Sequence, residues 1–258
     1  MALRLLVPPS VGVARARARG ELLERSLSNE MGEPVTVEVA DDYATLERRV
    51  RDAEVELAWT PAAICAEVED RARSVHKTIR EGRSSYRSAL VARIDAHLAL
   101  ERLHGLRAAW VDRLSIGGYL LVARHLRDRG IDPDRTFVSQ EFLGTHPAAL
   151  TAVLDGEADV AAVSVPGPQE EHVTQALALH AGRAGAQRLH ALAITDAAPN
   201  DALVITTALD EARAEALGQR LVSGGGRASA LCLAMEAEGF ERARPGEYAA
   251  LRRLLVTT

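Results

Sequence analysis

An α/β architecture built as two doubly wound lobes is predicted by three observations. Short apolar runs alternate with longer segments of helical periodicity, the pattern of strands joined by crossover helices. Two such groups, residues 1–90 and 107–195, have similar make-up, and a further strand and helices complete the chain. Hydrophobic residues form 47% of the 258 residues, enough for packed cores, while aromatics are only 3%, so Ala, Leu and Val carry the packing.

The strands read in order as "LRLLV" (3–7), "VTVEV" (35–39), "ELAWT" (56–60), "SALVAR" (88–93) and "RAAWV" (107–111). They continue as "FVSQEF" (137–142), "VAAVSV" (160–165), "HALAIT" (190–195) and "ALVITT" (202–207). Each is a short run rich in β-branched or aliphatic residues and bounded by polar or turn-forming ones. Helical periodicity fills 14–31, 42–53, 62–72, 117–129, 146–155, 169–182, 209–222 and 227–238. The helix from 117 has a clear stop: Gly130 suits a left-handed C-terminal position, and Asp132-Pro133 blocks continuation. "SALVARIDAH" and "DAAPNDALVITT" read as two crossings between lobes. The expected division is therefore 1–92 with 196–258 as lobe 1 and 93–195 as lobe 2, each with a mainly parallel sheet. Ligands of such lobes bind at strand C-termini, here in a cleft between them.

Composition excludes several functions. A formal net charge of −5 gives no basic footprint for nucleic acid. Lys77 is the sole lysine and so the sole candidate for Schiff-base chemistry. Cys65 and Cys232 sit in apolar helical segments and read as small buried thiols. Without C-x-x-C or Cys/His spacing, neither a metal site nor a cofactor is expected. No apolar run approaches the roughly 18–20 residues of a membrane span. The first strand starts at residue 3 with no leader before it, which predicts a cytoplasmic protein, or a periplasmic one if a leader has been removed.

Candidate site residues cluster at strand ends. Ser10 and Gly12 follow the first strand, and Thr60 follows the third as an N-cap with Pro61 as first helical residue. After "AAWV" comes "DRLSIGG", where Ser115 could cap a helix and Gly117 and Gly118 could let a ligand reach the backbone. Thr145 and His146 begin another helix, where an imidazole could donate to a ligand oxygen. Tyr43 and Tyr86 each begin or precede an element, as rim packing or as phenol donors. Every one of these residues has an ordinary reading as a cap or packing group; their number in one pattern suggests a site. Arg15, Arg17 and Arg19 spread around a helix as a solvated face. "SGGGR" (223–227) lacks the Gly-Lys-Ser/Thr of a phosphate loop and reads as a turn. No nucleophile-elbow or zinc-protease motif occurs, and Asp112 and Glu141 are the acids placed to be considered in an enzyme.

"YRSALVARID", "RLHGLRAAWVDRLSIGGYLLVARHLRDRGIDPDRTF", "GTHPAALTAVLDGEADVAAV" and "PNDALVITT" together resemble a known family. "DDYATLERRVRDAEVELAWTPAAICAE" adds its tyrosine-containing helix, strand and turn. The family is that of phosphonate/phosphate/phosphite-type solute-binding proteins of ABC importers, with the type II periplasmic-binding-protein fold. The resemblance implies two Rossmann-like lobes, discontinuous in sequence, closing by a hinge on a small oxyanion. Its Ser-Thr-Ser turn falls on Ser115, Ile116 and Gly117, so two hydroxyl donors are missing here. Its tyrosines fall on Tyr43 and Tyr86, its histidine on His146, and an acid useful for aminoalkyl groups is Ser164 here.

The function expected is therefore small-anion binding, in a cytoplasmic sensor-like relative rather than an importer component. One alternative is a cytoplasmic enzyme acting on a small carboxylate, similar to menaquinone-pathway enzymes of this fold. Another is a degenerate scaffold for a protein partner, which Ile116 and the missing acid would suit.

Overall fold

The computed structural model describes residues 2–8, 23–29, 31–113, 115–224 and 229–255. Ser10, Gly12, the three N-terminal arginines, the start of the expected helix 14–31 and most of "SGGGR" lie outside the described residues. In chain order the elements begin with β1 (Leu3–Val7), α1 (23–29), β2 (Val35–Val39), α2 (Tyr43–Arg51), β3 (Leu57–Thr60), α3 (Ala62–Val68) and β4 (Ser74–Ile79). Next come β5 (Ser85–Arg93), β6 (Arg107–Trp110), a π-turn (Ile116–Leu120) running into α4 (Leu121–Arg127), α5 (Pro133–Thr136), β7 (Ser139–Phe142), α6 (His146–Leu154) and β8 (Val160–Val165). The chain ends with α7 (Glu170–Ala186), β9 (Leu189–Ile194), β10 (Ala198–Pro199), β11 (Ala202–Ile205), α8 (Glu211–Gly224), α9 (Ala230–Ala234), β12 (Gly239–Arg242) and α10 (Ala249–Leu255).

Contacts divide the chain into two compact units. Unit 1 comprises Met1–Ser84 and Pro199–Arg253; unit 2 comprises Ser85–Ala198 and the chain end from Leu254. All of β5 falls in unit 2, whereas the expected division at 92/93 assigned most of that strand to lobe 1. The reason is pairing: β5 hydrogen-bonds β8 along Arg87–Ala92 and β9 along Ala89–Arg93, so its partners are unit 2 strands.

The sheet of unit 1 has the order β12-β4-β11-β3-β1-β2. Strands β1, β2 and β3 are parallel, and β11 runs antiparallel to both β3 and β4. Four of its six strands thus share one direction, with β11 and β12 reversed. The sheet of unit 2 has the order β10-β5-β8-β6-β7 with β9 also on β5; β6, β7 and β8 are parallel and β5 opposes β8. This is the expected α/β class with mostly parallel sheets. "LRLLV" and "VAAVSV" are almost continuously buried, as parallel strands covered on both faces must be.

The same ion pair anchors both parallel triplets. Arg4, in β1, donates through its backbone N, Nε and Nη2 to Glu56, just before β3. Arg107, at the start of β6, does the same to Asp159, just before β8, and each pair spans 52 residues. Side-chain hydrogen bonds from the partnered arginine hold the Asp159 carboxyl below its ordinary range. In Glu56 burial pushes the other way, and Arg4 still brings the carboxyl below its ordinary value. The two units therefore share a strand order and a clamp without a visible sequence repeat.

Periodicity predicts neither β4 nor β12. "SVHKTI" hides its apolar alternation behind His76 and Lys77, both buried in the structure. Lys77 is satisfied by Glu241, 3.0 Å away, and Glu247, 2.7 Å away. The expected helix over 169–182 continues to Ala186 through a non-helical Gly182 at φ 71°. Gly130 adopts the left-handed conformation expected of it, at φ 76°. Cys65 and Cys232 are free and buried, and burial pushes the Cys65 thiol up to about 12.

His76 is fully buried, its Nε2 lies 3.0 Å from Ser74 Oγ, and its Nδ1 has no hydrogen-bond partner. Burial first, then Arg242, pushes its pKa down to about 4, while Glu215 acts in the opposite sense. The folded state then binds this proton more weakly than the unfolded chain. Its stabilising contribution is complete above the unfolded histidine value and is lost as pH falls from about 6.5 to 4. That loss should amount to about 3 kcal/mol. Urea titrations of wild type and His76→Leu from pH 7 to pH 4 test this; parallel stability curves would contradict it.

Candidate functional site

The candidate site is built on the β5/β8 pair of unit 2. In that antiparallel register Ser88 faces Ser164, so their side chains share one face of the sheet. Gly117, in the π-turn, sits against this face. Ser88 Oγ donates to Gly117 O at 2.6 Å. A Cβ on Gly117 would lie 1.9 Å from Ser164 Oγ and 3.2 Å from Tyr86 Cε2. Tyr119 fixes the turn from its other side, with ring centroids 5.5 Å from Trp110 and 5.2 Å from Phe142.

Ser115 caps this turn, as expected: its Oγ accepts from Gly118 N at 3.0 Å. The N–H groups of a first helical turn have no intrahelical acceptor, so the turn start is electropositive. A side chain at either glycine would collide with the protein itself. A Cβ on Gly118 would meet Val111 Cγ2 at 2.4 Å, and the space above Gly117 holds Ser164 and Tyr86. Protein side chains crowd both Cα atoms, which is by itself a reason for glycine at each position.

His146 opens α6, whose cap is Thr145 Oγ1 accepting from Ala148 N at 3.3 Å. Its Nδ1 lies 3.4 Å from Ala162 O and its Nε2 3.4 Å from Ser164 Oγ. The His180 ring lies 5.0 Å away. Burial, then the charge of His180, pushes the His146 pKa down, against the hydrogen bond to Ala162, so the ring is neutral near pH 7. Burial lowers His180 as well.

Tyr86, Ser115, Gly117, His146 and Ser164 therefore belong to one neighbourhood of unit 2. Ile116 is buried, so its side chain packs inward and presents no apolar face to a partner. Tyr43 and Thr60 belong to unit 1. Tyr43 is the half-exposed first residue of α2, behind the cap Asp42. Thr60 is not the helix cap expected of it; Pro61 holds that position, and Thr60 is fully buried with Oγ1 2.9 Å from Cys65 Sγ. Asp112 and Glu141 are not buried, and neither is the enclosed acid that an enzyme reading asks for. An apolar cavity of about 160 Å³ in unit 1, lined by Leu5, Leu57, Leu217 and Phe240 among others, is part of that unit's core. Among the described residues no group of three or more His, Cys, Asp or Glu could hold a metal.

Sequence reasoning missed Ser88 and His180. A hydroxyl in the otherwise apolar "SALVA" was a signal for the first; His180 carried none, because only α7 packing on α6 brings it to His146.

Comparison with known proteins decides the family. The family described as "ABC transporter, phosphonate, periplasmic substrate-binding protein" matches residues 5–248. The chain belongs to this family. Solved structures agree on the fold. XAC2383 from Xanthomonas citri bound to chloride ion superposes with a TM-score of 0.74 at 18% identity, covering 100% of this chain and 99% of that one. PhnD1 from Prochlorococcus marinus in complex with methylphosphonate gives 0.68 at 17% identity, covering 99% and 97%. A binding-protein component of a phosphonate ABC transporter from Pseudomonas aeruginosa gives 0.65 at 20% identity, covering 99% and 86%.

Within the phosphonate-binding family the expected cytoplasmic, sensor-like role finds no support, because the family is described as periplasmic and transport-linked. No helix among the described residues is long and apolar enough to cross a membrane. Gly117 and Ser164 are one arrangement: Ser164 Oγ occupies the volume beside Gly117 that a side chain there would need.

Proposed function

We propose that this chain captures a small tetrahedral oxyanion of the phosphonate or phosphate class, as the substrate-binding component of an ABC importer. The binding groups are the Ser115 hydroxyl, the N–H groups of the turn it caps, Tyr86, His146 and Ser164. The observation that carries the reading is the capped, electropositive turn set against Ser164 and His146 in a family member. Methylphosphonate in a relative of the same fold points to the same ligand class.

Thermal denaturation and titration calorimetry with methylphosphonate, phosphate, phosphite, sulfate and acetate test it. A ligand at a hundred times its dissociation constant should add about 2.7 kcal/mol of stability. Tetrahedral oxyanions should give heat and a shift while acetate gives neither. Silence from all the phosphorus anions would end this reading.

A further inference from the structure

We infer that Asn200 joins the two chain crossings between the units into one paired ribbon, so that the units move about a single hinge rather than about two independent links. The inference goes beyond the ligand class proposed above and does not depend on which anion is bound.

The chain leaves unit 1 between Ser84 and Ser85 and returns to it between Ala198 and Pro199. The outgoing crossing follows a tight turn after β4. Arg80 and Arg83 exchange both backbone hydrogen bonds, at 2.8 and 2.9 Å, and the residues between them, Glu81 and Gly82, have φ of 49° and 69°. Two positive φ values in a two-residue loop mark a type I′ hairpin turn.

Asn200, on the returning crossing, reaches three carbonyls of the outgoing one. Its backbone N–H donates to Ser84 O at 3.0 Å. Its Nδ2 donates to Arg83 O at 3.1 Å and to Thr78 O, in β4, at 2.9 Å. Both amide protons are thereby used, as a buried amide requires. Tyr248, fully buried just before α10, donates its hydroxyl to Asn200 O. On the unit 2 side, β10 (Ala198–Pro199) pairs with β5. The crossings are therefore hydrogen-bonded to each other on both sides of the boundary. An apolar side chain of similar size would fill the same space; what the amide adds is the link. Two separate links could each bend alone, whereas bonded links must bend together. Asn200 is thus a positioning residue for the hinge, with Tyr248 as its support.

Val222→Cys and Leu179→Cys put spin labels on exposed positions of α8 and α7, one in each unit, while the native Cys65 and Cys232 are buried. Pulsed electron spin resonance then reads the distribution of label-to-label distances without any ligand. Asn200→Asp keeps the size of the side chain and removes both donors, so it should broaden the distribution. Asn200→Ala should do the same, and Tyr248→Phe less, since the amide bonds remain. Val204→Ala, fully buried in β11, is the control that costs stability without touching the crossings. Melting curves confirm that each variant is folded under the conditions of measurement. Broadening in the Asn200 variants but not in the control supports the inference. Unchanged distributions in both Asn200 variants, or equal broadening in the control, overturn it. Titration of wild type with methylphosphonate is read separately: its silence bears on the oxyanion function and leaves the hinge to the distances alone.

Discussion

Replacing Glu241 and Glu247 together by alanine is expected to destabilise unit 1 by about 3–5 kcal/mol, the cost of leaving a buried charge unpaired. The side chain of Lys77 is only 4% exposed, while those of Glu241 and Glu247 are 53% and 28% exposed. The ammonium therefore depends on its carboxylates more than they depend on it. Lys77→Met should cost much less, since it removes the buried charge and leaves two acids within reach of water. Urea midpoints for the three proteins provide the comparison. Equal losses for Lys77→Met and the double alanine variant would show that the pair, rather than the buried ammonium, sets the energy. The same contacts occupy Lys77, which is paired with two carboxylates and enclosed within a sheet.

Gly117→Ala should cost about 1–3 kcal/mol, because the new Cβ would lie 1.9 Å from Ser164 Oγ and 3.1 Å from its Cβ. Ser164 could turn its hydroxyl away only by giving up His146, and its Cβ and the Tyr86 ring would still have to shift. In a Ser164→Gly background the same substitution should be nearly free of that clash. The double-mutant cycle should return a coupling of about 0.5–3 kcal/mol. Additive losses would mean that Gly117 is required for the conformation of the turn and not for the room that Ser164 takes.

Several features are legible in the amino-acid sequence alone. β1, β2 and β8 have the bounds read from their apolar runs; β1 and β8 are parallel strands buried on both faces, which leaves little choice of residue, while β2 is a half-buried edge strand whose alternating Val residues mark it. The Ser115 cap and Gly130 are legible because each answers a local backbone need within a few residues. β4 and β12 are hidden because their polar residues are satisfied only across strands, Lys77 by Glu241 and Glu247 from the far end of the chain. The repeated clamps, Arg4 on Glu56 and Arg107 on Asp159, are hidden for the same reason: each joins residues 52 apart through strand pairing.

The sequence by itself determined the class of fold, the order of most strands and helices, the capped turn and the family to which its motifs belong. These follow from periodicity, local capping and residue order, all of which act over short stretches of chain. Tertiary structure alone decided that β5 joins unit 2, that Thr60 is a buried packing residue, and that Gly117 and Ser164 form one device. Residues 117 and 164 meet only because β5 pairs with β8 and the π-turn packs across that pair. The contact of Ser164 with His146 is likewise made from outside its own segment, by the packing of α6 against β8.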